Sequence, residues 1–170
     1  MIFLGAHGGV VRRNPVPHLH ISMFAAPGTD AYARFYGLNA NNVRWGNVRY
    51  GFISGSARGG RTGNRYAVSE INRLSNNRSY LERPGLQWIN HLYTGIGMVS
   101  QLFAAHSHFD TNHGTSFRYF PIPLTRSQFN STSITISLLD SVGLSHGMSP
   151  SQQRWARGAN RHISAEHFGR

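Results

Sequence analysis

Cysteine is absent from the 170 residues, which excludes disulfides, thiolate metal sites and a cysteine nucleophile together. The redox compartment is therefore not readable. Lysine is absent as well, so all 17 basic residues are arginine. Acidic residues are scarce, with 6 Asp and Glu in all. No apolar run approaches the ~20 residues of a membrane span, which implies no transmembrane segment. The start, Met1-Ile-Phe-Leu-Gly-Ala-His7, is too short and not basic enough for a secretory signal. Export of this chain needs another device or a larger parent chain.

What is present is positive charge. A net charge of +11 favours nucleic acid, phospholipid headgroups, acidic cell-wall polymers or an acidic protein partner. Arginine is always charged, and its planar fork suits phosphate and carboxylate. Lysine depletion follows either from GC-rich coding or from a toxin that avoids lysine-directed modification in a target cell. The length suits one domain over residues 1–170, large enough to bury a core.

Residues 1–13 are glycine-rich, and Pro15 and Pro17 lead into His18-Leu19-His20-Ile21-Ser22-Met23-Phe24, a strand stopped by Pro27-Gly28. Alternation puts His18, His20 and Ser22 on one face. Residues 30–56 read as two or three short aromatic strands around Tyr32, Phe35 and Tyr36, then Val43 to Trp45, then Val48 to Ile53. Ser54 to Asn64 reads as a mobile basic loop, and Val68 to Leu74 and Tyr80-Leu81 as helical turns. From Leu86 to Ala105 apolar residues recur at three- and four-residue steps, the pattern of a long helix weakened by Gly95 and Gly97. His106 to Ser116 reads as a polar loop and Phe117 to Phe120 as a short strand. Ser131 to Val142 carries Ile134, Leu138, Leu139 and Val142 at helical spacing, with Asn130 before it and Gly143 after it. The tail from Gly147 to Arg170 is polar and basic, anchored by Trp155.

Three constellations carry chemistry. The first couples His18 and His20 with Asn130, Ser131 and Ser133. A hydroxyl nucleophile needs a base within hydrogen-bond reach. A helix N-terminus offers free backbone N–H groups to an oxyanion, although Ser and Thr are also simply good N-caps. These segments resemble a known family. Pro17 to Met23 is similar to the His-bearing strand of circularly permuted papain-like (NlpC-related) hydrolases and acyltransferases. Tyr119 to Pro123 and Phe129 to Gly143 are similar to their second block, in an Asn-Ser-x-Ser variant found in C-terminal toxin domains of bacterial secreted proteins. Pro150 to Trp155 and Gly158 also suit that variant's tail. The two blocks cover about a quarter of the chain and leave residues 25–115 unmatched.

The resemblance implies an α+β fold, an antiparallel sheet with packed helices of permuted papain-like type. It implies an antagonistic effector or toxin, secreted or delivered into a target cell by a specialised secretion system, that attacks amide or ester bonds in cell-wall peptides or phospholipids. His18 would be the base, and Ser131 stands where the family keeps a nucleophilic cysteine. His20, Asn130 and Ser133 are further candidates. An acidic immunity protein is the partner such a toxin implies, and no cofactor is implied. Because a hydroxyl is harder to ionise than a thiol, Ser131 needs a fuller relay, or else the chain is a relative that binds an anionic target without cutting.

The second constellation is His106, His108, Asp110 and His113, three imidazoles and a carboxylate with metal-ligand chemistry. They would support a metal nuclease, as would His162 and His167 with His113, but a solvated polar loop explains the same residues. The third is the run of Arg–aromatic neighbours, Arg44-Trp45, Arg49-Tyr50, Arg65-Tyr66, Arg118-Tyr119 and Arg154-Trp155. Cationic and stacking groups suit nucleic acid, but no nucleic-acid-binding motif accompanies them.

Overall fold

The structure, a computed structural model, describes residues 1–7, 18–29, 32, 43–45, 48–59, 65–71, 87–93 and 97–170. It is α+β, with an antiparallel sheet and packed helices. The strands are β1 (Ile2–His7), β2 (His18–Ala25), β3 (Val43–Trp45), β4 (Val48–Arg58), β5 (Tyr66–Ile71) and β6 (Gln87–Tyr93). Their order is β3-β4-β2-β1-β6, and every pairing is antiparallel. β4 is long enough for two neighbours on one edge. Its residues 48–50 pair β3 and its residues 53–58 pair β5, while β2 takes the other edge.

Alternation sorts the sheet into two faces. Ile2 lies opposite Met23, Leu4 opposite Ile21, and Ile21 opposite Ile53. All are buried in the main core. Three helices follow: α1 (Met98–His113), α2 (Ser131–Ser141) and α3 (Pro150–Trp155), with a 3-10 turn at Ala165–Phe168. α2 packs across β4, β2 and β5 on the Ile21–Ile53 face. Close approach is possible because Gly55 lies on that face, two residues beyond Ile53. A Cβ at Gly55 would stand 2.7 Å from the Ile134 Cβ and run into the Ser131 carbonyl oxygen.

Every residue of α2 except Asp140 is buried, so the helix is covered on all sides rather than amphipathic. The strip 117–129 delivers the chain to it. The amide of Ala67 donates to Phe117 O at 2.7 Å, and that of Tyr119 to Arg65 O at 2.9 Å. The amide of Phe120 then donates to Phe129 O at 2.8 Å. Phe109 stacks between Phe117 and Phe168, with centroids 5.7 and 4.7 Å apart, which ties α1 to this strip and to the C-terminal turn.

Several expectations are corrected. The helix read from Leu86 to Ala105 is strand β6 followed by α1. The strand carries bulges against β1, so the helical spacing of Trp88, Ile89, Leu92 and Tyr93 is not contradicted by strict alternation, and Gly97, at φ 95°, is the N-cap of α1. The loop read from His106 is helical through His113, because no breaker precedes Gly114. Residues 54–58 belong to β4 and residues 68–71 to β5. The glycine-rich start holds β1, whose Ile2 and Leu4 point into the core. Phe35, Tyr36, Tyr80 and Leu81 lie outside the described residues. Among the described residues no helix is long and apolar enough to cross a membrane.

Candidate functional site

Asn130 is the N-cap of α2, as its side chain and the apolar spacing behind it predict. Its Oδ1 accepts the Ser133 amide at 3.0 Å, closing one of the four open donors of the helix start. Its Nδ2 donates to Arg157 O at 2.8 Å and to Pro121 O at 3.3 Å. One side-chain amide thus joins the helix start to two distant segments. Ser133 is fully buried and donates toward Asn130 Oδ1 and Gly158 O, each at 3.1 Å. Gly158 must be glycine here. Its φ is +96°, and a Cβ would stand 2.9 Å from Ser133 Oγ and run into Asn130 Oδ1.

Ser131 is 4 % exposed and hydrogen-bonds the Tyr119 hydroxyl through both side chain and backbone. Burial pushes the Tyr119 phenol up from its ordinary value, against the pull of those bonds and of the Arg65 charge. The helix start therefore faces groups of the chain itself. The Ser131 backbone meets Tyr119, the Ser133 amide meets Asn130 Oδ1, and the Ile134 amide meets Asn130 O. Two of the helix-start donors, those of Ser131 and Ser133, thus meet groups of the chain itself.

The histidine strand β2 runs beneath α2, but its histidine parity faces the other way. His20 is fully buried opposite Gly5 and Ser54 in the register. Its ring covers Gly5, where a Cβ would stand 2.7 Å from His20 Cε1. Ser54 and Gly55 are consecutive, so they point to opposite faces. Gly55 points at Ser131, and His20 shares the face of Ser54. The sheet thus stands between the His20 ring and the Ser131 and Ser133 hydroxyls. His18 has the register parity of His20, but its side chain is outside the described ones.

On α1, His106 and Asp110 sit one turn apart. His106 Nδ1 lies 2.8 Å from the Oγ of Ser69 on β5, and Arg58 reaches Asp110 Oδ1 at 2.9 Å. Burial pulls the His106 imidazole down to about 4, with Asp110 raising it and Arg58 lowering it. His108 and His113 stand off this pair, with His113 edge-on to His167 at 4.7 Å between centroids. His162 pairs instead with Asp140 at 2.7 Å. Among the described residues no three His, Asp or Glu side chains form a group that could hold a metal ion. Of the Arg–aromatic pairs, Arg118 lies over the Tyr66 ring at 4.9 Å.

A groove of about 430 Å³ lies between the 122–124 strip and the segment from α3 to Arg161. Arg154, Arg157 and Arg161 line it together with Pro123, and no lining residue is acidic. Among the described residues none of the three arginines has a carboxylate partner. Asn130 bonds Pro121 O on one side and Arg157 O on the other, so the motif at the helix start holds the two walls together. Sequence reasoning recognised the basic tail but not this convergence. The signal was the spacing of three and four residues among the three arginines, which α3 and the turn after it bring to one side. No known family, curated protein or solved structure matches this chain.

Proposed function

We propose that this chain is a binding domain for a polyanion, which Arg154, Arg157 and Arg161 take up in the groove. One observation carries the reading: three guanidinium groups line a single concavity that has no carboxylate among its lining residues. Guanidinium forks form paired, charge-assisted bonds to phosphate and carboxylate oxygens. The net charge of +11 draws anions in and speeds their encounter. The separation of His20 from Ser131 by the sheet favours binding over cutting.

The test is a titration with a soluble polyphosphate at low salt. The triple variant R154Q/R157Q/R161Q should bind at least about tenfold more weakly, as expected for loss of several charged hydrogen bonds. Equal affinity in the variant overturns the proposal.

A second reading keeps the chain as a permuted papain-like effector that hydrolyses or transfers acyl groups. It is favoured by the position of Ser131 in the first turn of α2 with the Tyr119 hydroxyl on it. On that reading Ser131→Ala abolishes ester or amide hydrolysis and leaves polyphosphate binding untouched. On the binding reading the same substitution changes neither.

A further inference from the structure

We infer that the anionic target of the groove is a phospholipid surface, on which the strip 122–124 inserts while the arginines hold headgroup phosphates. This rests on the binding reading above and names its target. Among the described residues the exposed large hydrophobics are Met1, Ile122 and Leu124. Two of these three line the arginine groove, and Leu124 is 79 % exposed.

A single exposed leucine needs no explanation, but this one is braced. The amides of Leu124 and Thr125 both donate to Gln128 Oε1, at 2.7 and 3.2 Å, and the Gln128 amide donates to Thr125 O. The Arg161 guanidinium reaches Leu124 O at 3.4 Å. The leucine is thus held out on a tied turn beside a cation. Exposed Arg126 follows on the same turn.

The chemistry of the lining selects among polyanions. Single-stranded nucleic acid is held by aromatic platforms as well as charge. Here the groove is lined by Ile122, Leu124, two prolines, the three arginines and the amides Gln153 and Asn160, with no aromatic ring. An apolar tip flanked by cations matches a bilayer interface, where the tip enters the acyl boundary and guanidinium groups stay at phosphate depth. Basic groups near an anionic leaflet each contribute about fivefold in affinity.

Sedimentation with phosphatidylcholine vesicles, with and without phosphatidylglycerol, tests the inference. The chain should bind vesicles containing phosphatidylglycerol and leave pure phosphatidylcholine free. Leu124→Asn removes the apolar tip without adding charge. It should weaken vesicle binding about tenfold, the order expected for leucine burial, a larger loss than it causes in polyphosphate affinity. R154Q/R157Q/R161Q should lose about a hundredfold on vesicles. Unchanged vesicle binding by Leu124→Asn, or polyphosphate binding without vesicle binding, overturns the lipid target while the groove reading stands. Undiminished binding of both ligands by the triple arginine variant overturns both.

Discussion

Thr135 gathers three backbone groups around one hydroxyl. The Gly55 amide donates to its Oγ1 at 3.1 Å, and its proton faces Ser131 O at 2.9 Å and Leu19 O at 3.1 Å. β4, β2 and α2 therefore meet at a single buried oxygen. Thr135→Val keeps the shape but strips the partner from the buried Gly55 amide. An orphaned donor costs about 1–3 kcal/mol, which for a chain of this size lowers the melting temperature by roughly 3–10 °C. Thr135→Ser should keep most of the stability, and thermal unfolding of the two variants checks the difference. Ser137 serves similarly, accepting the Ile163 amide at 2.8 Å. The cap role of Asn130 was legible because capping is local to the chain. The roles of Ser131, Ser133 and Thr135 were not, since their partners Tyr119, Gly158, Leu19 and Gly55 lie from 12 to 116 residues away.

Between elements, the His106–Ser69 contact fastens α1 to β5, and it does so with a neutral imidazole. The folded value of about 4 lies below the ordinary 6.5. Between those pH values the unfolded chain binds a proton that the folded chain does not, so stability rises with pH across the interval. The contribution is complete above pH 6.5, is lost as pH falls toward 4 and changes no further below that. Its full size is about 3 kcal/mol. His113 adds to the slope in the same direction, its imidazole lowered by burial and by neighbouring His167 and His108. Urea midpoints measured across the interval should fall with acid in the native chain and fall less steeply in His106→Gln. An equal slope in the variant would assign the acid sensitivity elsewhere. The sequence hid this contact, because His106 lay in a stretch whose polarity suggested a loop. Helix type was legible where apolar spacing met clear stops, as in α2. It failed over residues 86–105, where Trp88, Ile89, Leu92 and Tyr93 fall at helical spacing within a bulged strand.

The molecule as a whole combines a general excess of positive charge with a local groove, and the two respond differently to salt. The basic composition was legible from the sequence, as was the α+β class with an antiparallel sheet. The groove was not, because its walls come from residues 122–124 and 150–161, distant in the chain and joined through Asn130 and the Arg161–Leu124 bond. Self-repulsion at +11 opposes folding, and any salt that screens it should raise the melting temperature. A groove that binds anions adds a second term, since a ligand that binds only the folded chain stabilises it in proportion to its occupancy. At a ligand concentration ten times Kd the gain is about 1.4 kcal/mol, or roughly 3–6 °C at this size. Phosphate should therefore stabilise the native chain more than chloride at equal ionic strength. Phosphate also strengthens apolar burial by its exclusion from protein surfaces, and that effect acts equally on a variant with the same core. R154Q/R157Q/R161Q carries three fewer charges and should begin with less self-repulsion, so its response to chloride is smaller. Its excess response to phosphate over chloride should shrink to the exclusion effect alone. Thermal scans of both proteins in the two salts separate the terms, and an undiminished phosphate excess in the variant would place the anion site away from these arginines.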